Sequence, residues 1–271
     1  MAKDPLRTRF SEMLGIEFPI IAFTHCKDVA VAVINSGGFA VLGEAMHTPD
    51  DISADIQWIR ERVDGKPFGV DLVLPASVPA AASLDELLAK IPEEHNSFAK
   101  HIKEKYDVPD PKEAIALHQW GGLNQELGRA QLDVLLDERV PLIASGLGSP
   151  AFILDAAHER DMLVFGLVGK ARQAKRQLEA GVDGIIAQGY DAAGHTGAVG
   201  TFSIVPEIAA MAGDTPVIAA GGVTTGRHLA AALCLGASGV WTGTLWLASR
   251  ESDIDMIIKE RLVESTTEDT S

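Results

Sequence analysis

Two turns near the carboxyl end of the chain have the composition of a phosphate-binding site. Gly221 and Gly222 follow the apolar run 217–220, and Gly243 and Thr244 follow the next such run. Backbone amides that no side chain covers, at a loop that opens a helix, can bind a phosphate dianion. A single glycine pair more often makes only a tight turn, but two such turns after consecutive runs favour phosphate binding.

A loop of small residues with one histidine follows the apolar run 184–187. It reads QGYDAAGHTG from Gln188 to Gly197 and contains His195. Such a loop lets the backbone approach a planar ligand, and histidine titrates near neutral pH, so His195 is a candidate general base or hydrogen-bond donor. The alternative is a histidine that only caps a turn. The flanking glycines and the place after a strand favour function.

Two further groups of polar residues follow apolar runs. Thr24 and His25 end the first run and could meet a ligand there, whereas the neighbouring Cys26 is expected to be a packed, inert thiol. Asp71 ends an otherwise apolar run, and a buried carboxylate is costly unless it accepts hydrogen bonds. Asp71 is therefore either a ligand contact or an interior acid satisfied by nearby backbone.

The elements that would position these residues alternate along the chain. Short apolar runs bounded by Gly, Pro or charge alternate with stretches of helical period, as in βα units around a parallel sheet. The predicted strands are 18–23, 39–43, 68–73, 141–145, 162–167, 184–187, 217–220 and 239–243. Eight strands, each followed by a helix, predict a TIM-type (β/α)₈ barrel rather than an open doubly wound sheet. In such a barrel the phosphate site forms after strands 7 and 8.

The chain is expected to be one domain, 1–271, with an insertion at 74–123. That segment contains five prolines and many charges, and it is predicted to be a mainly helical lid over the barrel mouth. Helices are predicted between the strands. Their candidate spans are 28–36, 49–62, 150–159, 170–180 and 226–235.

Composition excludes several classes of function. The formal net charge is −15 and the acidic residues are scattered, which argues against nucleic acid or a membrane as partner. Two distant cysteines predict no disulfide, and the absence of a long apolar run or leader-like start predicts a cytoplasmic protein. The histidines, His47 among them, show no metal-ligand spacing, so no metal site is predicted. The oligomeric state stays open, since Trp120 or Trp241 could serve an interface as well as a core.

Taken together, these motifs resemble those of a known family. The segment 187–197 (AQGYDAAGHTG), 219–223 (AAGGV), 236–237 (GA) and 243–244 (GT), together with 36–43 (SGGFAVLG), closely resemble the nitronate monooxygenases, formerly called 2-nitropropane dioxygenases. These matches run in order over most of the chain, from Phe18 to about Ser249. Family members usually continue beyond the equivalent of Thr267, so this chain, which ends at Ser271, is expected to be a short variant or a truncated form.

The resemblance implies an FMN-dependent barrel that needs neither a nicotinamide nor a metal, with His195 as the catalytic histidine. It places the FMN phosphate at Gly221, Gly222, Gly243 and Thr244. The other residues assigned to the cofactor are Ala22, Phe23, Thr24, Asp71, Gln188 and Gly194. His25 is assigned to the substrate.

Two departures from the family pattern concern the pocket. Asp71 stands where the family more often has Asn against the flavin ring, and Phe23-Thr24-His25 stands where a Pro-Met pair is common. The function expected from the resemblance is oxidation of alkyl nitronates, or a related small carbon acid, with O₂. The alternatives are an FMN enoyl reductase that uses NAD(P)H, a non-redox barrel enzyme for a phosphorylated metabolite, and a ligand-binding sensor.

Overall fold

The computed structural model describes residues 4–73, 89–108, 125–146, 148–194 and 196–269. Eight parallel strands form a closed barrel in which each strand pairs with the next and the last with the first. The strands are β1 (Ile20–Thr24), β2 (Phe39–Gly43), β3 (Gly69–Val73), β4 (Leu142–Gly146), β5 (Leu163–Val168), β6 (Gly184–Gln188), β7 (Val217–Ala220) and β8 (Gly239–Thr242). The predicted (β/α)₈ barrel is confirmed, each strand beginning and ending within two residues of its predicted bounds.

Among the described residues, helices precede the first strand, separate the strands and follow the last one. They are Arg9–Leu14, Lys27–Asn35, Pro49–Arg60, Glu93–Lys105, Gln125–Asp137, Leu154–His158, Ala171–Ala180, Thr201–Met211, Gly226–Cys234, Thr244–Leu247 and Met256–Glu264. The predicted helix 150–159 is divided into a 3₁₀ turn, Pro150–Ile153, and a short α-helix. Helix Pro49–Arg60 begins where the pattern predicts, because Thr48 caps it and proline suits its first position.

Alternation along the strands separates two apolar layers. Val70 and Leu72 of β3 pack outward against the helices, whereas Val41, Leu142 and Phe165 fill the barrel interior. The interior is therefore a packed core rather than a channel.

The amino-terminal helix closes the lower end of the barrel. Phe10 is fully buried, and its ring lies 6.2 Å from that of Phe39 and 6.0 Å from that of Phe165. Thr8 and Ser11 form a capping box at the start of this helix, and the Thr8 hydroxyl also donates to the Ser238 carbonyl. The helix is thereby fixed under the barrel.

The predicted insertion is described only from residue 89 to residue 108. Helix Glu93–Lys105 lies in that part and buries none of its residues, so the helical content is confirmed there, while its place over the barrel mouth stays a prediction. Trp241 belongs to the interior core, whereas Trp120 lies outside the described residues. Cys26 and Cys234 are both free thiols. None of the helices in the described ranges has the length and hydropathy needed to span a bilayer.

Candidate active site

The carboxyl ends of the strands meet at one opening, which we call the barrel mouth. Asp71 lies between two outward-packed residues of β3, so its side chain faces the barrel interior. The same alternation turns Phe23 of β1 and Gln188 of β6 inward, and Gly243 follows β8 at the same rim. The closed barrel therefore brings these four predicted site residues to one opening.

An aromatic group occupies the β1 side of the barrel mouth. The Phe23 ring stacks on Trp241 with centroids 5.3 Å apart, and it meets the His25 ring edge-on at 5.1 Å. His25 Nδ1 lies 2.9 Å from the Gly43 carbonyl. Because a carbonyl only accepts, Nδ1 must carry the proton, and neutral His25 therefore has its lone pair on Nε2. Any β-carbon at Gly43 would lie 2.5 Å from the His25 ring, so this arrangement requires glycine there.

Two of the residues predicted to contact the cofactor from β1 do not direct their side chains to the mouth. Ala22 packs in the outer layer and is fully buried. Thr24 is also buried, and its hydroxyl accepts a hydrogen bond from the Cys26 amide. Only the backbone of these two residues is available to a ligand at the mouth.

Asp71 is an interior carboxyl group without a partner. It is 8% exposed, and among the described residues nothing donates a hydrogen bond to its Oδ1. Its register partners in the barrel are Gly43 on β2 and Ala144 on β4, neither of which has a polar side chain to offer it. Burial raises the pKa of Asp71 to about 7, because the charged form has lost its water. The carboxyl group can therefore donate as well as accept a hydrogen bond near neutral pH.

The loop after β6 is fixed against the end of β7. The Thr201 amide donates to Asp191 Oδ2 at 2.7 Å, which lowers the pKa of Asp191, and the Thr201 hydroxyl donates to the Ala220 carbonyl. Gln188 Nε2 reaches the Ala193 carbonyl at 3.3 Å. The sequence gives no sign of this clamp, because Asp191 and Thr201 are ten positions apart across a loop.

The same loop carries two of the predicted site residues. Gly194 has φ +80°, a left-handed conformation that favours glycine. His195 lies outside the described residues, so its catalytic role stays a prediction.

The predicted phosphate cradle lies on the β7–β8 side. Gly221 and Gly222 have φ values of +109° and +70°, and no described residue accepts a hydrogen bond from their amides. A β-carbon at Gly221 would lie 2.6 Å from Thr201 Oγ1 and 2.8 Å from the Ala192 amide. Gly243 precedes the short helix Thr244–Leu247, and a β-carbon there would meet no atom within 4 Å. The two turns therefore offer backbone amides at neighbouring points of the rim.

A cavity of about 610 Å³ opens on the other side of the mouth, between the carboxyl end of β3 and the segments that follow β4, β5 and β6. Its described lining includes Lys170 and Arg176 but no acidic residue, although the whole chain carries a net charge of −15. Gln188 lines it too and connects it with the cradle side. The sequence does not indicate this cavity, since Lys170 and Arg176 appear in it only as polar positions of an amphipathic helix.

These features fit a flavin at the barrel mouth. The cavity volume falls within the range of small-molecule sites. Glycines at 146 and 243 leave open space at the rim, and the unpartnered Asp71 Oδ1 needs a polar ligand atom. The uncovered amides of Gly221 and Gly222 suit a phosphate.

Comparison with known proteins decides the family. The family model described as nitronate monooxygenase matches residues 7–271. The chain belongs to the nitronate monooxygenase family. It is 43% identical to the protein Rv1533 of Mycobacterium tuberculosis, whose name assigns it provisionally to the monooxygenases, over 98% of this chain and 72% of that protein.

Two solved structures share the fold over nearly the whole chain. One is nitroalkane oxidase from Streptomyces ansochromogenes, with a TM-score of 0.75 and 26% identity over 93% of this chain and 72% of the other. The other is FabK (M276A) from Thermotoga maritima, with a TM-score of 0.73 and 29% identity over 96% and 72%. The protein is therefore an enzyme of the nitronate monooxygenase type, a flavin-dependent oxidoreductase.

Proposed function

We propose that this nitronate monooxygenase family member binds FMN at the barrel mouth and oxidises alkyl nitronates, or a related small carbon acid, with O₂. The observation that carries the proposal is the family match from residue 7 to residue 271, which spans every strand of the barrel. When bound, FMN would supply the redox chemistry, by which electrons from the carbon acid would be passed on to O₂. The chain itself must supply binding, orientation and charge.

The residues that would hold FMN form two groups on different sides of the barrel mouth. Gly221, Gly222, Gly243 and Thr244 would bind the phosphate through backbone amides, since the first two have no acceptor among the described residues. Phe23, Asp71 and Gln188 face the interior and would border the ring system. Ala22, Thr24 and Gly194 would contribute backbone only.

The charges at the mouth suit an anionic substrate. Lys170 and Arg176 line the cavity and would attract a nitronate. Asp71 would not repel it below about pH 7, since burial raises its pKa to that value and keeps the carboxyl group neutral. A substrate bound between these groups would have its anionic end oriented before reaction.

Two histidines are assigned to proton handling and substrate contact. A nitronate is already deprotonated, so His195 would only donate a hydrogen bond to it; from a neutral nitroalkane His195 would instead take the α proton. His25 would meet the substrate through Nε2, because Nδ1 is held by the Gly43 carbonyl.

The test is anaerobic reduction of the FMN-loaded protein. Mixing with propionate 3-nitronate should bleach the flavin absorbance, and NADPH alone should not. A protein that fails to retain FMN, or that is bleached only by NADPH, would contradict the proposal.

An NAD(P)H-dependent reductase is the second candidate. The fold matches FabK of T. maritima almost as well as it matches nitroalkane oxidase, and the cationic cavity would also accept the phosphates of a nicotinamide nucleotide. The NADPH arm of the same experiment separates the two candidates. The family match favours both over a non-redox enzyme or a sensor.

A further inference from the structure

A second group of polar side chains lies just beyond the carboxyl end of β2. Glu44 directly follows β2, His47 lies three residues on, and Asp55 is on helix Pro49–Arg60. One ligand atom from each, a carboxylate oxygen or a histidine nitrogen, lies within 4.8 Å of the others. None of the three residues is used in the proposed flavin chemistry.

The distances are close to those of a metal centre. His47 Nδ1 lies 2.5 Å from Glu44 Oε2 and 4.0 Å from Asp55 Oδ2. An ion with bonds of about 2.0–2.2 Å to N and O places tetrahedral ligand atoms roughly 3.3 Å apart. To bind an ion, the His47–Glu44 distance must lengthen and the His47–Asp55 distance must shorten, each by less than about 1 Å.

A buried, unpartnered carboxylate oxygen in the cluster suits an electropositive ligand. Glu44 is fully buried, yet nothing described donates to its Oε1. Gln131 is 1% exposed; its Nε2 donates to the carbonyls of Ala45 and His47, and its Oε1 has no described partner. Glu44 belongs to the cluster and its carboxylate oxygens are acceptors, so a cation or its bound water would satisfy Oε1 and a further anion would not.

The surroundings supply an outer shell and an entrance. Lys27 forms a salt bridge with Asp55 Oδ1, which leaves Asp55 Oδ2 free toward His47. Gln131 fixes the backbone of the segment that carries Glu44 and His47. The His47 side chain is 40% exposed, so an ion can reach the cluster from solvent. Such second contacts orient metal ligands and tune their affinity.

We propose that Glu44, His47 and Asp55 bind one divalent first-row transition-metal ion. One imidazole and two carboxylates suit ions such as Zn²⁺, Co²⁺ or Mn²⁺, and three protein ligands leave a position for water. The sequence contains no recognisable motif for this site, because the ligands are spaced by three and eight residues across a loop and a helix start. The inference is independent of the substrate assigned to the flavin site.

The alternative occupant is a proton on His47. The hydrogen bond that His47 Nδ1 donates to Glu44 Oε2 raises the pKa of His47, so a protonated imidazole paired with Glu44 is the competing state. The positive charge of Lys27 also repels the ion, which limits the metal affinity but does not move Glu44, His47 or Asp55.

The experiment titrates the FMN-loaded full chain, after treatment with a chelator, with Co²⁺ and with Zn²⁺. Co²⁺ should produce visible absorption bands beyond the flavin bands, and calorimetry with Zn²⁺ should show saturable heat from the binding of one ion. Glu44→Gln, His47→Ala and Asp55→Asn should each weaken binding by about tenfold to a hundredfold or more.

A matched control is present in the same chain. His158 Nε2 lies 2.9 Å from Asp183 Oδ2, with a similar exposure of 43% but without a second carboxylate, so His158→Ala should leave metal binding unchanged. Thermal midpoints without metal identify variants that do not fold, and a metal-dependent rise in the wild-type midpoint supplies an independent readout. No Co²⁺ bands and no Zn²⁺ heat in the wild type, or binding that survives all three substitutions, would overturn the proposal.

Discussion

The two ends of the barrel use the same residue type in opposite ways. At the lower end, glycines remove side chains so that rings can fill the core: a β-carbon at Gly184 would lie 2.4 Å from the Phe165 ring, and one at Gly239 would lie 3.0 Å from Phe10. At the mouth, a β-carbon at Gly146 or Gly243 would meet no atom of the described residues within 4 Å. The lower-end glycines permit close packing, whereas Gly146 and Gly243, unlike Gly43 and Gly221 at the same mouth, leave room for a ligand.

The same contrast holds for polar groups. The lower end is built from apolar contacts around Phe10, whereas the mouth contains Asp71, a carboxyl group with an unpartnered oxygen. A buried polar atom without a partner costs stability, and such costs are accepted where a ligand binds. We therefore expect substitutions at the lower end to change stability and substitutions at the mouth to change cofactor binding.

The largest effect on stability is expected from Phe10→Ala. Phe10 is fully buried between Phe39 and Phe165, and removing a buried phenylalanine side chain costs about 3–5 kcal/mol. Chemical denaturation should show this loss, while the FMN affinity of the folded variant stays unchanged. Phe152→Ala, at a ring that is 59% exposed, is the control. A large loss of FMN affinity in folded Phe10→Ala would mean that the two ends are coupled.

Asp71→Asn should remove a pH dependence of stability. Burial raises the pKa of Asp71 to about 7, whereas aspartate in an unfolded chain titrates near about 3.9. Between these values the folded state keeps a proton that the unfolded state has released, so the free energy of unfolding falls as the pH rises from about 4 to about 7. Relative to the variant, the wild type should lose on the order of 3–4 kcal/mol over this range.

Unfolding of both proteins at about pH 4 and about pH 8 measures that difference. Asp214→Asn, at a side chain that is 92% exposed, should leave the pH dependence as in the wild type. If the difference between wild type and Asp71→Asn is the same at both pH values, Asp71 is not held neutral by the fold.

Sequence pattern and structure agree best where neighbouring residues alone determine the local conformation. The eight strands are predictable because each is a short apolar run bounded by Gly, Pro or charge. Helix Thr201–Met211 is not, because Pro206 lies inside it. The cradle glycines are found from their spacing, whereas the cavity beside Lys170 and the cluster around Glu44 depend on how distant elements pack, which periodicity does not encode.

Gly221→Ala should separate cofactor binding from stability. A β-carbon at Gly221 would collide with Thr201 Oγ1 and the Ala192 amide, so the loop after β6 must move, and φ +109° strains any other residue. We expect FMN affinity to fall by tenfold or more and stability to fall by about 1–3 kcal/mol. Gly213→Ala has a positive φ but no atom within 4 Å, and should cost only the backbone strain. Equal FMN affinity in the two variants would place the phosphate elsewhere.

The smallest effect is expected at the cationic side of the mouth. Lys170 and Arg176 line the cavity but are exposed, and exposed charges contribute only about 0.2–1 kcal/mol each. Lys170→Gln and Arg176→Gln should therefore raise KM for an anionic nitronate about two- to fivefold at low salt, with kcat little changed. Added salt should shrink the difference in KM, because it screens exposed charges.

Lys175→Gln, on the same helix but outside the cavity lining, should leave KM unchanged. If all three variants change KM equally, the summed charge of the helix attracts the substrate and the position of a cation in the cavity lining does not matter. The comparison between the two sides of the mouth would then leave only the cradle side with a functional role.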